Sequence, residues 1–174
     1  MPVKKDFEVA DKNLHDLKSF DCGKPGMNTF LAKNAVKHNK LGLSRTFVLP
    51  GTTPEITKAG QAPVAAYFTL TNSNVLRQEI PAEKSLPRYP IPVILLARLA
   101  VDSRYKGKGL GSKTLVYALR KAAALSKAGL PAFGVILDVL DDDALRFYQH
   151  FESFKPFTDD PMRLYISMKT VEQL

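Results

Sequence analysis

The stretch from Leu95 to Lys127 constrains this chain more than any other. It opens as an apolar run, Leu95-Leu-Ala-Arg-Leu-Ala-Val101, and passes through Asp102 into Arg104-Tyr-Lys-Gly107-Lys-Gly109-Leu-Gly111-Ser112. From there Leu110, Thr114, Leu115, Ala118, Leu119 and Ala122 recur at the spacing of one buried helix face, until Gly129 and Pro131 stop the pattern. The order is buried strand, glycine-rich turn, amphipathic helix. Glycines let successive backbone N–H groups converge without interference from Cβ atoms. The helix start adds a partial positive charge, and Arg104, Lys106 and Lys108 add full ones. Such a turn suits a pyrophosphate, with solvated lysines on a flexible loop as the alternative.

Spacing narrows the choice of pyrophosphate. A Walker loop needs Gly-x-x-x-x-Gly-Lys-Ser/Thr, but the sixth residue counted from Gly107 is Ser112. The dinucleotide pattern Gly-x-Gly-x-x-Gly fails as well, because Gly111 follows Gly109 one residue too early. The turn also lies too late in the chain for a first βαβ unit. What remains is Arg-x-x-Gly-x-Gly entered from a strand.

The 174 residues predict one domain, 1–174. A chain of that size buries roughly 70% of its unfolded surface and needs no disulfide or metal staple. The single cysteine, Cys22, rules out an internal disulfide and any zinc site built on cysteine pairs. His15, His38 and His150 show no metal-ligand spacing, so no metal is expected. Met1-Pro-Val-Lys-Lys-Asp has no apolar core, and no apolar run approaches the ~18 residues of a membrane helix. The expectation is a cytoplasmic protein away from the membrane. A net charge of +8 favours polyanionic partners: nucleic acid, an anionic coenzyme, or both.

Around the turn, the periodicities predict a mixed α/β or α+β domain. Phe7 to Val9 reads as a short strand. Pro25 opens a helix carrying Met27, Phe30, Leu31 and Ala35 on one side and Lys33, Lys37 and Lys40 on the other. Those lysines form either a solvated face or a phosphate-contacting one. Arg45–Leu49 and Val64–Thr71 predict an antiparallel pair, with Asn72-Ser-Asn74 as a break. Arg77 and Arg88 flank a proline-rich connection, and Pro92 to Val101 is the central strand. Strands at 134–140 and 163–168 enclose a helix that Asp141-Asp-Asp143 caps and that ends near His150.

The Arg-x-x-Gly-x-Gly turn, entered from Arg98-Leu-Ala-Val-Asp102, resembles the acetyl-CoA motif of the GCN5-related N-acetyltransferase (GNAT) superfamily. Phe20-Asp-Cys-Gly23 with Asn28-Thr-Phe-Leu31, Phe147-Tyr148 and Asp160-Pro-Met-Arg-Leu164 extend the resemblance to the GNAT toxins of bacterial toxin–antitoxin modules. These markers run from about residue 20 to 168. The resemblance implies a GNAT fold, with a central, mixed, mostly antiparallel sheet flanked by helices and the strand–glycine turn–helix at its middle. It implies acetyl transfer from acetyl-CoA to the α-amino group of aminoacyl-tRNA, a block of translation, a homodimer and a ribbon-helix-helix antitoxin. One departure stands out: where members carry a glycine turn soon after the Phe-Tyr pair, this chain has Phe151-Glu-Ser-Phe154.

Transfer to an amine needs a neutral nucleophile, a polarised carbonyl and a proton for the departing thiolate. An α-amine with pKa near 8 is partly neutral at pH 7, so no strong base is demanded. By the family's Phe-Tyr motif, Tyr148 is the general acid. Spacing alone also accommodates a packed core tyrosine. Leu99, Ala100 and Val101 are expected to hydrogen-bond the pantetheine arm as an added strand. Arg104, Lys106, Gly107, Lys108, Gly109, Leu110, Gly111 and Ser112 are expected to hold the phosphates. Asp102 is read as orienting the loop, and Cys22 as packed. Lys33, Lys37, Arg77 and Arg98 lie outside the turn and are expected to contact the tRNA backbone. Two other readings remain open: a GNAT enzyme acting on a protein or small-molecule amine, and a non-enzymatic nucleic-acid-binding module.

Overall fold

The computed structural model describes residues 2–52, 60–81, 85–151 and 153–174. Short extended pieces at Glu8–Val9 (β1) and His15–Asp16 (β2) precede a helical segment. That segment comprises Pro25–Thr29 (α1), a π-helical turn at Phe30–Asn34, and Ala35–Leu41 (α2). Then come Arg45–Pro50 (β3), Ala62–Val75 (β4), Ile91–Val101 (β5), Leu110–Ala128 (α3), Gly134–Asp138 (β6), Asp142–Gln149 (α4), Lys155–Pro156 (β7), Arg163–Ser167 (β8) and Met168–Val171 (α5). The strands hydrogen-bond in the order β1-β3-β4-β5-β6-β8-β7, with β2 paired to β4 off this path. β1–β3, β3–β4, β6–β8 and β7–β8 are antiparallel, whereas β5–β6 and β2–β4 are parallel. This is the mixed, mostly antiparallel sheet with helices that the motif resemblance implied.

The chain forms two compact units. The first comprises residues 1–70 and 98–116. Its core packs Phe20, Cys22, Phe30, Leu31, Ala35 and Val36 against Val48, Val64, Tyr67 and Ala100. The second comprises residues 71–97 and 117–174, with a core of Val75, Ile80, Ile91, Val93, Ile136, Phe157 and Tyr165.

The helix after the glycine turn matches its pattern: Leu110, Thr114, Leu115, Ala118, Leu119 and Ala122 are all buried. Two other segments depart from expectation. The helix opened by Pro25 contains a π turn, in which the Ala35 N–H donates to the Phe30 carbonyl five residues back. The buried residues explain it. Phe30 and Ala35, and Leu31 and Val36, are pairs five apart, and all four are buried. In an α-helix, residues five apart point about 140° away from each other; widening one turn brings both pairs onto the core face. The second departure corrects the expected break at Asn72-Ser-Asn74, because β4 continues to Val75. Along that end, Asn72 and Asn74 are exposed, Thr71 and Ser73 partly buried and Val75 buried. The asparagines thus occupy solvent-side positions of an alternating strand, where their side chains need no partner in the core. The predicted strand at 134–140 ends at Asp138, and β2, β7 and α5 had no distinct sequence signal.

Candidate active site

In the first unit, β5 delivers the chain to Asp102, which caps a short 3₁₀ turn at Ser103–Tyr105. The Asp102 carboxylate is 1% exposed and accepts four hydrogen bonds. Oδ1 receives the Arg104 backbone N–H at 2.8 Å and Arg104 Nε at 2.9 Å; Oδ2 receives Arg104 Nη2 and the Asp21 backbone N–H, each at 3.0 Å. The pairing raises the Arg104 pKa, chiefly through the side-chain hydrogen bond and against the desolvation that opposes it. Asp102 is therefore the orienting residue the sequence suggested. It also occupies two guanidinium nitrogens of Arg104, the residue expected to meet phosphate, so Arg104 presents its charge from a fixed position.

The turn then runs through Lys106 to Gly109, all exposed, into α3. Gly107 and Gly109 have φ of +82° and +72°, the left-handed region that side chains resist. Among the described residues, and apart from each glycine's own chain neighbours, no atom lies within 4 Å of where a Cβ would sit on either residue. These two glycines thus answer to backbone conformation, and the space beside them is open. Gly111 lies within α3 and has no such φ. Leu110 is buried, which leaves its backbone as the part that faces a ligand. Ser112 is exposed in the first turn of the 19-residue helix, and Thr114 Oγ1 donates to the Leu110 carbonyl at 2.6 Å. A helix start, two left-handed glycines and three nearby cations fit a pyrophosphate.

The Asp21-Cys-Gly23 segment is tied to this turn. Asp21 Oδ1 accepts from the Gly23 N–H at 2.8 Å and from Asn28 Nδ2 at 2.9 Å, and Asn28 Oδ1 accepts from the Cys22 N–H at 2.9 Å. The Ser103 N–H donates to the Asp21 carbonyl at 2.8 Å, and Lys106 Nζ to the Cys22 carbonyl at 3.0 Å. The Gly23 hydrogen bond first, then that of Asn28, holds the Asp21 carboxyl below its usual range despite some desolvation; the Lys106 charge adds to the effect. Cys22 is buried with its thiol directed at the Lys24 carbonyl, 3.8 Å away, consistent with packing rather than nucleophilic work. Sequence reasoning did not single out Asp21 or Asn28 as site residues. Their motif was visible, but its partners lie about eighty positions away.

The expected tRNA contacts fall into two sorts. Lys33, Lys37 and Lys40 are exposed along the N-terminal helical segment. Arg98 is half-buried, its guanidinium carbon 3.6 Å from the Phe30 ring centroid. Its charge partly opposes the burial that pushes the Tyr67 hydroxyl pKa up. That hydroxyl donates to the Met27 carbonyl at 2.7 Å. Arg77, in the second unit, donates through Nη1 to the Leu86 carbonyl at 3.1 Å and so fastens the proline-rich connection. Both arginines therefore have structural partners, whereas the three lysines are solvent-exposed.

Tyr148 belongs to the second unit, on α4. Asp141 caps this helix by accepting the Ala144 N–H at 2.8 Å, as its sequence position predicted. Tyr148 is 8% exposed, with Phe147 and Phe154 at ring-centroid distances of 5.1 and 6.1 Å. Burial alone pushes its pKa above that of an ordinary phenol. The neighbouring acids have structural partners: Asp138 pairs with Arg163 at 2.9 Å and Asp143 with Arg146. Among the described residues, no three His, Cys, Asp or Glu side chains are grouped to hold a metal, and no helix is long and apolar enough to cross a membrane. Glu152, within the Phe151–Phe154 departure, lies outside the described residues.

No protein-family model matches the chain. It is, however, 34% identical over 162 residues to a tRNA-acetylating toxin of Mycobacterium tuberculosis, a match spanning 91% of this chain and 90% of that relative. The chain belongs to the tRNA-acetylating toxins, of GNAT type. Solved structures agree in fold. The toxin AtaT complexed with acetyl-methionyl-tRNAfMet superposes with a TM-score of 0.83 at 28% identity, over 97% of each chain. A tyrosine-to-phenylalanine variant of AtaT, bound to acetyl-CoA and the C-terminus of the antitoxin AtaR, superposes with a TM-score of 0.77 at 25% identity, over 97% of this chain and 96% of that one. In this toxin, then, the family's glycine motif corresponds to a turn that is built and braced, and its Phe-Tyr motif to an apolar seat for a phenol.

Proposed function

We propose that this toxin transfers the acetyl group of acetyl-CoA to the α-amino group of an aminoacyl-tRNA and thereby blocks translation, with residues 1–174 acting as one N-acetyltransferase domain. The observation that carries the reading is the turn at Gly107 and Gly109, whose left-handed backbone opens a long helix beside Arg104, Lys106 and Lys108. In this proposal the N–H groups from Gly107 to Ser112 hold the pyrophosphate, and the backbone of Leu99, Ala100 and Val101 pairs with the pantetheine arm as an added strand. One of those N–H groups polarises the acetyl carbonyl.

Acetyl-CoA supplies an activated thioester. As the N–C bond forms and the C–S bond breaks, Tyr148 gives its phenolic proton to the departing sulfur, and the proton that the amine releases to water restores the phenol. A phenol raised by burial keeps its proton throughout the neutral range, which is what a general acid here requires. The AtaT structure carrying a tyrosine-to-phenylalanine change together with acetyl-CoA supports a central tyrosine in such enzymes. Lys33, Lys37, Arg77 and Arg98 are assigned to the tRNA backbone, supported by the net charge of +8 and by the AtaT complex with acetyl-methionyl-tRNAfMet. The same reading includes a homodimer in the cytoplasm, neutralised by an antitoxin of ribbon-helix-helix type.

Incubation with labelled acetyl-CoA and pools of charged tRNA tests the reading. Label is expected in acetyl-aminoacyl-tRNA and in neither free tRNA nor protein. Label confined to protein lysines would overturn it in favour of a protein-amine acceptor.

A further inference from the structure

The proposed pyrophosphate turn has an intrinsic weakness. It is exposed from Lys106 to Gly109, and none of the described residues beyond the chain neighbours packs where a Cβ would sit on either left-handed glycine. Glycines carry the largest backbone entropy to be lost on ordering. A loop that must present several N–H groups to one ligand is therefore poorly organised unless something outside it fixes its geometry.

The structure places such a device in a segment about eighty residues earlier. The Asp21-Cys-Gly23 segment is hydrogen-bonded on one side to the residues leading into the turn and on the other to its own carboxylate and to Asn28. Toward the turn, the Asp21 N–H meets Asp102 Oδ2, the Ser103 N–H meets the Asp21 carbonyl, and Lys106 Nζ meets the Cys22 carbonyl. Away from it, Asn28 clasps the segment with both ends of its amide: Nδ2 donates to Asp21 Oδ1, and Oδ1 accepts from the Cys22 N–H. The Gly23 N–H gives Asp21 Oδ1 a second hydrogen bond, at a residue whose φ of +88° curls the segment back on its own carboxylate. Asp21 is exposed and Asn28 only partly buried, so the pair is not part of the apolar core. What it does is hold two carbonyls and one N–H in the positions that Asp102, Ser103 and Lys106 require.

We propose that Asp21 and Asn28 are positioning residues for acetyl-CoA: their side-chain pair sets the shape of the pyrophosphate turn from outside it. The inference rests on the assignment of that turn to the coenzyme. It predicts an effect on one substrate only. Loss of the pair loosens the turn and weakens acetyl-CoA binding, while the acceptor and the Tyr148 proton step are untouched once the coenzyme is bound.

The test compares Asp21→Ala, Asn28→Ala and Asp21→Asn with the unaltered toxin, by calorimetric titration with acetyl-CoA and by steady-state kinetics with both substrates varied. Each alanine change is expected to raise the Kd and KM for acetyl-CoA about tenfold, with kcat at saturation and the KM for aminoacyl-tRNA within about twofold of the unaltered values. Asp21→Asn keeps an oxygen acceptor for Gly23 and Asn28, so it is expected to recover most of the lost affinity. Unchanged acetyl-CoA affinity in both alanine variants overturns the proposal. So does a parallel rise in both KM values with no recovery in Asp21→Asn, which would mark the pair as a general structural element. If Asp21→Ala does not fold, Asn28→Ala carries the comparison alone. Failure of the unaltered protein to bind acetyl-CoA would instead overturn the coenzyme assignment, and the positioning role with it.

Discussion

The turn from Asp102 to Ser112 and the helix that carries Tyr148 are held by opposite means. The entry to the turn is braced by polar contacts: four hydrogen bonds converge on Asp102, and Lys106 and Ser103 reach back to the Asp21-Cys-Gly23 segment. Tyr148 is held by rings, and burial is the whole cause of its raised pKa. The difference suits the role proposed for each. A phosphate cradle has to point several donors at one place, and directional bonds can fix such a geometry. A general acid has to keep a proton until a thiolate arrives, and an apolar surrounding achieves that by disfavouring the phenolate.

The comparison is most exposed at Tyr148. Tyr148→Phe keeps the ring and its packing while removing the proton, so kcat is expected to fall by about 10²- to 10⁴-fold with unchanged acetyl-CoA affinity. An equal loss of coenzyme affinity would mean that the phenol holds the ligand rather than the proton. In the unaltered toxin, kcat/KM should rise with pH as the α-amine, pKa about 8, loses its proton. Because burial raises the Tyr148 pKa, the acid form persists and no descending limb from it is expected below about pH 10. A descending limb near neutrality would transfer the acid role to another group.

Asp102→Ala attacks the braced region at its node. It leaves Arg104 without its carboxylate and the Asp21 N–H without an acceptor, a change expected to cost about 3–5 kcal/mol of stability. At roughly 2–4 °C per kcal/mol for a chain of this length, the midpoint of thermal unfolding should drop by about 10 °C. Gly109→Ala is milder. Nothing lies near the new methyl, so the cost is the left-handed backbone alone, about 1–2 kcal/mol. It should appear as roughly tenfold weaker acetyl-CoA binding by titration. The smallest effect is expected outside both regions. Lys33→Ala with Lys37→Ala should weaken tRNA binding a few-fold and lower the salt-dependence slope by about 2, leaving the acetyl-CoA KM unchanged.

Much of this could be read from the chain before folding. The α3 face was legible because six residues repeat on a 3.6-residue period, and every one of them is buried. The β-branched and aromatic runs of β3 and β4 and the Asp141 cap were legible for a related reason: their signals are local. The π turn was less so, although its mark, two apolar pairs five residues apart, is present at Phe30–Ala35 and Leu31–Val36. The end of β4 was misread because asparagine usually signals a turn; here Asn72 and Asn74 stand on the solvent side of a strand.

The sequence by itself determined the order of the main elements, the buried face of α3, and a turn whose glycine spacing suits a pyrophosphate but neither common nucleotide motif. These properties depend on residues within a few positions of one another, so periodicity and turn chemistry express them directly. Only the tertiary structure decided what holds that turn. It spends two nitrogens of Arg104 on Asp102, stacks Arg98 on Phe30, and makes Asp21 and Asn28 a brace for residues 102–106. Hydrogen bonds between groups eighty residues apart depend on distances and angles that no local pattern encodes, and the apolar seat of Tyr148 depends on rings that only packing brings together.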